Sequence, residues 1–210
     1  MIYICGTGWV DSTGHGCIKQ SISRKGKPDR KETFIHPFKN FGRLDAVSEM
    51  TCYAIGLALR DASLSYPLED AGIVGTSISG SLDGDRDYFK KYTDSGRTLG
   101  RGNFFIYTLP SSPLGEAAIH FGLKGALLFV GSAQKHLSEA VAVGSGLIYD
   151  KEVSVVLVGM ADENEALYMV LADESVCIGE PICSVEAAEP VLDENPVLSA
   201  VVLALEELKK

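Results

Sequence analysis

The residues best placed for chemistry follow a short apolar run, residues 127–130, in the middle of the chain. The run predicts a buried strand, and Gly131 and Ser132 supply a turn into a helix predicted over residues 133–148. Gln134 falls at the start of that helix, where free backbone amides and the helix dipole could activate a thiol or hold an oxyanion. An amide side chain has no titratable proton, so Gln134 is not a covalent nucleophile. The stretch therefore has the position of an acyl-transfer site without its reacting group.

Other candidate reactive groups carry weaker signals. Ser132 stands at the bend but lacks the G-x-S-x-G elbow and a visible acid–base pair. Gly6 and Gly8 follow an apolar run, yet Asp11 stands where a dinucleotide motif has its third glycine. The histidines have no apparent thiol or hydroxyl partner and are predicted to be structural or surface residues: His15, His36, His120 and His136. The five cysteines contain no close CxxC pair, so we predict reduced thiols and no metal site.

The composition is that of an ordinary globular domain. The 210 residues are 46% apolar and 22% charged, which is enough for one sizeable core. A formal net charge of −9 argues against nucleic-acid binding. The N-terminus lacks a basic start and no apolar run approaches the length of a membrane span, so we expect a cytoplasmic protein without membrane contact. One basic segment, residues 19–43, has eight basic residues against Asp29 and Glu32. No motif in the sequence predicts a cofactor.

Apolar runs and helical periodicity alternate along the chain. Strands are predicted over residues 2–5, 71–78, 125–130, 153–158 and 166–172, and helices over residues 44–62, 115–121, 133–148 and 196–208. This alternation favours an α/β fold whose parallel sheet is closed by one antiparallel strand after a short turn. We therefore predict a five-stranded mixed sheet with helices on both faces. Residues 1–176 are the predicted main domain, and residues 177–210 are read as an acidic linker and a C-terminal helix of the same domain.

The last predicted helix carries an apolar stripe. Val197, Val201 and Leu205 recur at helical spacing, and charged residues collect at the far end. The helix predicted over residues 133–148 has apolar side chains that need cover on more than one side. We predict that the last helix lies over the helix that follows Gln134.

Six stretches of the sequence follow one another in an informative order: IYICGTGWVDSTGHG, FGRLDAVSEMTCYAIGLALRDAS, VGTSISGSLDGD, TLPSSPLGEAAIHFGLKG, VVLVGMADE and ALYMVLADES. In this order they resemble the N-terminal half of a β-ketoacyl synthase, a member of the thiolase-like superfamily, over about residues 1–175. On that family's pattern Gln134 stands at the nucleophile position, in SAQ instead of a T-A-C type sequence. The second half of the family's fold, which supplies two active-site histidines and a lysine, has no counterpart here. The resemblance thus implies that the chain is not catalytic on its own.

Within the family the chain most resembles the chain-length factor, an inactive partner of a ketosynthase with Gln at this position. The resemblance implies a subunit that pairs with a full-length active ketosynthase in fatty-acid or polyketide biosynthesis of the aryl polyene type, with Gln134 hydrogen bonding beside the tunnel. It also implies an antiparallel contact between residues 126–131 and a second subunit, with four predicted interface residues: Leu127, Leu128, Phe129 and Val130. The alternatives are an acyl- or carrier-protein-binding homodimer and a free-standing acyl hydrolase or decarboxylase.

The basic segment suggests a further contact. Acyl carrier proteins are acidic, so a positive patch on an otherwise acidic protein could steer their docking. The predicted docking residues are Lys25, Lys27, Arg30 and Lys31. A solvated charged loop with no partner is the alternative reading of this segment.

Overall fold

One mixed sheet runs through the centre of the molecule. The computed structural model describes residues 1–98, 100, 102–132, 136–194 and 197–209. Within these residues the strands are β1 (Ile2–Asp11), β2 (Gly14–Cys17), β3 (Ile22–Lys25), β4 (Ala71–Thr76), β5 (Leu127–Phe129), β6 (Val155–Ala161), β7 (Glu165–Asp173) and β8 (Cys183–Ser184). Their order across the sheet is β3-β2-β1-β7-β6-β4-β5, and β8 pairs with β1.

The pairing directions confirm the predicted mixed sheet. β4 is parallel to β5 and β6, whereas β7 is antiparallel to both of its neighbours, β6 and β1. The five predicted strands are β1, β4, β5, β6 and β7, and the antiparallel one is β7, as expected from its short connection to β6. The sequence did not predict β2, β3 and β8, which extend the sheet with short strands of two to four residues.

Helices cover both faces of the sheet, as predicted. They are α1 (Arg30–Thr33), α2 (Ala46–Asp61), α3 (Leu82–Asp94), α4 (Gly102–Phe105), α5 (Ser112–Phe121), α6 (His136–Tyr149), α7 (Val185–Glu194) and α8 (Leu198–Leu208), with short 3-10 turns at Phe41–Arg43 and Ile106–Thr108. One core lies between the sheet and α2 and α5, and the second lies between the sheet and α6, α7 and α8. Among the described residues, none of these helices has the length and apolar character required of a membrane span.

The glycines of β1 serve strand–helix packing. A Cβ atom added at Gly6 would lie 2.4 Å from the backbone nitrogen of Ala62, and one added at Gly8 would lie 2.1 Å from the carbonyl oxygen of Ala54. Both contacts are with the backbone of α2 or of the residue that follows it, so only hydrogen fits between strand and helix. α2 itself begins after Asp45, whose carboxylate accepts a hydrogen bond of 2.9 Å from the Ser48 amide. The Gly-Thr-Gly sequence is therefore explained without a nucleotide.

The C-terminal segment differs from its prediction. The acidic residues 179–196, read from the sequence as a linker, contain β8 and α7. The helix that packs against α6 is α7, whereas α8 packs against α7 and β7, so the prediction named the wrong covering helix. Ala188 and Leu192 give α7 a buried apolar side despite its acidic composition. Both terminal helices nevertheless share one core with α6, to which α8 contributes Leu198, Val201, Val202 and Leu205.

The prediction of five reduced thiols is also corrected. Cys5 of β1 and Cys177, four residues beyond β7, form a disulfide with Cα atoms 5.5 Å apart. The two cysteines are separated by 172 residues and meet only because β1 and β7 are neighbours. Cys17, Cys52 and Cys183 are free thiols.

Candidate functional site

β5 forms one end of the sheet. Among the described residues it pairs with β4 alone, in a parallel register that sets Leu127 opposite Ile73 and Phe129 opposite Gly75. The Ala126 carbonyl accepts from the Ile73 amide at 2.8 Å, and the Val130 amide donates to the Gly75 carbonyl at 2.9 Å. Because backbone groups alternate in direction along a strand, those of Leu127 and Phe129 point away from β4. This edge can therefore accept another strand.

Exposed apolar side chains lie on β5 and on the elements that are joined to it through α5. Leu127 and Leu128 are 37% and 39% exposed, and Ile119 on the neighbouring helix α5 is 82% exposed. α5 also packs against the turn Ile106–Thr108. We call this region the edge surface, and its large apolar residues are Phe105, Ile106, Leu109, Ile119, Leu127 and Leu128. An exposed apolar concentration of this kind is typical of a protein–protein contact.

A cavity of about 330 Å³ lies at the carboxyl ends of the parallel strands. Thr76, Phe129 and Ala161 line it at the ends of β4, β5 and β6. α3 and residues 104–110 form its outer wall. We call it the strand-end cavity. Sheets with parallel strands bind ligands at this end, because the loops that follow the strands converge there.

The buried ring of Tyr168 lines this cavity, although the sequence indicated only a strand residue at this position. A Cβ atom added at Gly159 would lie 2.5 Å from Tyr168 Cγ, and one added at Gly75 would lie 3.1 Å from the Tyr168 hydroxyl. The ring thus rests on two glycines of β6 and β4. Burial raises the pKa of Tyr168 above its ordinary value, so its hydroxyl stays neutral. The glycines in two apolar strands were the only sequence signal for this arrangement.

Asp162 holds the loop that follows β4. Its carboxylate accepts hydrogen bonds from the hydroxyls of Ser77 and Ser79, at 3.0 and 3.1 Å. The Ser77 hydroxyl in turn accepts from the Gly80 amide at 2.7 Å. Asp162 lies in the turn between β6 and β7. This turn therefore holds the loop that follows β4 in place beside the strand-end cavity. The sequence indicated an acidic turn here but no partner for it.

The same fold occurs in solved structures of known proteins. The chain is similar to the ishigamide ketosynthase/chain length factor, with a TM-score of 0.67 over 88% of this chain and 14% identity. It is also similar to a β-ketoacyl synthase from Burkholderia phymatum STM815, with a TM-score of 0.63 over 83% of this chain and 17% identity. This chain has the β-ketoacyl synthase fold. It spans 65% and 59% of the lengths of those two chains, which is less than two thirds.

A third similar structure is a ketosynthase in complex with its chain length factor from Xenorhabdus doucetiae. The TM-score is 0.58 and the identity 13%, over 82% of this chain and 79% of that one. No protein-family model and no curated protein matches the sequence. The resemblance to the thiolase-like ketosynthases, inferred from six short stretches, is therefore confirmed at the level of the fold.

The assignment of Gln134 to the nucleophile position of the ketosynthase family stays a prediction. Gln134 lies outside the described residues, and so do its neighbours Ala133 and Lys135. The helix predicted over residues 133–148 is present as α6, whose described part begins at His136.

The described histidine rings of this ketosynthase fold have structural surroundings. His15 is buried, and its Nδ1 atom lies 2.7 Å from the Gly26 carbonyl oxygen. His120 stacks on Phe38 with ring centroids 3.8 Å apart. Burial, together with the nearby His36, lowers the pKa of His120 to about 4. At neutral pH His120 is therefore an uncharged member of an aromatic cluster.

The four predicted docking residues lie on an exposed segment that runs from the last residue of β3 to the first turn of α1. Lys27 forms an ion pair with Glu49, and the Arg30 guanidinium lies 5.0 Å from the centroid of the Phe41 ring. Within the described part of the chain, no ion pair involves Lys25 or Lys31. Arg30 forms no ion pair in the described part of the chain either, so Lys25, Arg30 and Lys31 supply the unpaired charge of these four residues. Carrier-protein docking on the segment stays a prediction.

Proposed function

We propose that this chain is a non-catalytic, chain-length-factor-like subunit that pairs with a full-length active ketosynthase in polyketide or fatty-acid biosynthesis, of the aryl polyene type. The observation that carries the proposal is the open edge of β5 within an exposed apolar surface. An uncovered strand edge of this kind favours pairing with another chain. Two of the similar structures contain a ketosynthase together with its chain length factor, which supports a heteromeric partner.

The described thiols support a non-catalytic role. Burial, followed by the charge of Asp61, raises the pKa of Cys17 to about 12, and burial raises that of Cys183 to about 11. Burial also raises the pKa of Cys52 well above its ordinary value. A thiol must ionise to act as a nucleophile, so these three are inert at neutral pH. With an amide at position 134, the chain has no cysteine where a ketosynthase carries its nucleophile.

The strand-end cavity adjoins the proposed interface. Leu109 lines the cavity and is also part of the edge surface, and Phe129 of β5 lines the cavity from the sheet. A partner bound at the edge surface would therefore lie beside the mouth of the cavity. We assign the cavity to the growing chain that the two subunits would share.

Replacing Leu127 by proline is expected to abolish partner binding while the fold survives. The Leu127 amide points away from β4, so proline removes no bond inside the sheet, but it removes a donor from the open edge. The measurement is co-purification with tagged full-length ketosynthases from the source organism. Leu127→Val is the matched control, because it keeps both the amide and the strand conformation. Retention of a bound ketosynthase by Leu127→Pro, at an unchanged melting temperature, would contradict the proposed interface.

A homodimer that binds acyl groups or a carrier protein is the second candidate, and the same open edge supports it. Two copies of β5 could pair about a twofold axis, since an antiparallel edge contact is self-complementary. Sedimentation of the isolated chain separates the two possibilities. A stable dimer in the absence of a ketosynthase favours the homodimer.

Carrier-protein docking on the basic segment is tested by charge reversal. Changing Lys25 and Lys31 to glutamate is expected to slow chain extension by the complex and to weaken its salt dependence, because two of the three unpaired charges among the docking residues are reversed. The double change of Arg86 and Lys90 to glutamate, at two exposed positions of α3, is the control, because it alters the net charge by the same amount. An unchanged, equally salt-dependent rate in the Lys25 and Lys31 double variant would exclude docking at this segment.

A further inference from the structure

A second cavity of about 320 Å³ lies on the opposite face of the sheet from α2, between α8 and strands β1, β3 and β7. We call it the α8 groove. Its lining includes Trp9 and Asp11 of β1, Glu165 of β7, and Leu198, Val202 and Glu206 of α8. The size is that of a small-molecule site. It lies apart from the edge surface, since it is built on β1 and β7 and not on β5.

The polar groups of the groove are mainly carboxylates. Asp11 and Glu165 lie directly opposite each other on the antiparallel strands β1 and β7, and Glu206 approaches from α8. Like charges at directly opposed strand positions repel each other. No lysine or arginine lines the groove among the residues that the structure describes. Its negative charge is therefore not balanced by a cationic side chain of the lining.

The protonation behaviour of the two strand carboxyls agrees with this arrangement. Burial, together with Asp162 and Asp11, raises the pKa of Glu165. Although burial acts in the opposite direction, hydrogen bonds from Thr13 and Gly14 hold the pKa of Asp11 below its usual value. Asp11 thus stays charged beside Glu165, and a cation between them would relieve the repulsion.

The remaining walls are apolar and aromatic. Leu198, Val202 and Leu203 of α8 face the groove, and Leu203 is exposed to solvent. Trp9 contributes an indole ring, whose Nε1 atom is buried without a hydrogen-bond partner in the described part of the chain. Aromatic faces attract cations, and the aliphatic walls gain from covering by an apolar group.

We propose that the α8 groove binds a small organic cation in which an ammonium group is joined to an apolar body, such as an alkylamine. The ammonium lies among Asp11, Glu165 and Glu206, and the apolar body lies between Trp9 and α8. The same charges disfavour acyl carboxylates and phosphorylated carriers, so this site is separate from the proposed ketosynthase-partner function and stands or falls independently of it.

Trp9 is the single tryptophan of the chain, so its fluorescence reports on the groove directly. The experiment titrates the whole protein at neutral pH with octylammonium chloride, sodium octanoate and octanol, three probes that share a chain length and differ in head-group charge. We expect a saturable change with octylammonium and binding at least about tenfold weaker for octanoate and octanol. Equal responses to the charged amine and to octanol, or no saturable response to the amine, would overturn the proposal.

Two substitutions test whether the preference for the charged amine arises in the groove. Glu165→Gln and Glu206→Gln are each expected to weaken octylammonium binding about threefold or more, as loss of one partly exposed charge partner does. Glu207→Gln is the matched control, because Glu207 is the next residue on α8, is exposed and does not line the groove. An equal loss in Glu207→Gln, with all three melting temperatures unchanged, would mean attraction by overall charge and would reject the site.

Discussion

Replacing Gly8 by alanine is expected to destabilise the native fold of this chain severely. The added Cβ atom would lie 2.1 Å from the Ala54 carbonyl oxygen and 2.4 Å from the Ala58 nitrogen, both backbone atoms of α2. Backbone atoms cannot rotate away, so the whole helix would have to shift from β1. α2 also packs against β7 and α5, and a shift would disturb the core on that face of the sheet. A cost above about 3 kcal/mol is expected, a large part of the stability of a typical domain.

Gly115→Ala is the matched control for this prediction. Gly115 lies within α5, and a Cβ atom added there meets no atom within 4 Å. The helix propensity of alanine predicts a gain of up to about 1 kcal/mol. Urea denaturation of both variants, followed by circular dichroism, measures the difference. A Gly8→Ala protein that unfolds cooperatively within about 1 kcal/mol of the unmodified chain would show that strand and helix can separate without loss.

Replacing Asp61 by alanine is expected to cost about 3 kcal/mol or more. Asp61 is the last residue of α2 and its side chain is buried. Its carboxylate accepts hydrogen bonds from the backbone amides of Thr7 at 2.9 Å, Lys19 at 3.0 Å and Gln20 at 2.8 Å. Alanine would leave these three donors unpaired. The connection between β2 and β3 would lose two of the hydrogen bonds that attach it to α2, although the bond from Gln20 Nε2 to the Arg60 carbonyl would remain.

Asp61→Asn serves as the graded control. Asparagine keeps one acceptor oxygen in nearly the same shape, so part of the hydrogen bonding survives and an intermediate loss of stability is expected. Hydrogen exchange at the Lys19 and Gln20 amides reports the local effect, and the urea midpoint reports the global one. If both variants retained the unmodified midpoint and slow exchange, the buried carboxylate would have no role in holding this turn.

The amino-acid sequence determined the central architecture. The apolar runs that became β4, β6 and β7 are long and buried on both faces, so their hydrophobicity alone predicts them. α2 was equally predictable, because its apolar residues recur at helical spacing. The order of six short stretches was sufficient to indicate the ketosynthase fold, which the structural similarities confirm.

Short strands, and contacts between residues that are far apart in the chain, could be identified only from the tertiary structure. β2, β3 and β8 have two to four residues each, too few for a periodicity to be read. α7 was hidden by its acidic composition, since its few apolar residues are buried only when α6, α8 and the sheet have come together around them. The disulfide joins positions 172 residues apart, and the bonds from Ser77 and Ser79 to Asp162 cross more than eighty residues. No local pattern contains such contacts.

The clearest example is the candidate interface itself. Residues 127–130 read as a buried strand, because an apolar run looks the same in the middle of a sheet and at its edge. The sheet order places β5 at one end, which leaves Leu127 and Leu128 more than one third exposed. Hydrophobicity along the chain determines that a strand forms. Which neighbours it has, and therefore whether its edge is free for a partner, is decided only when all strands have taken their places.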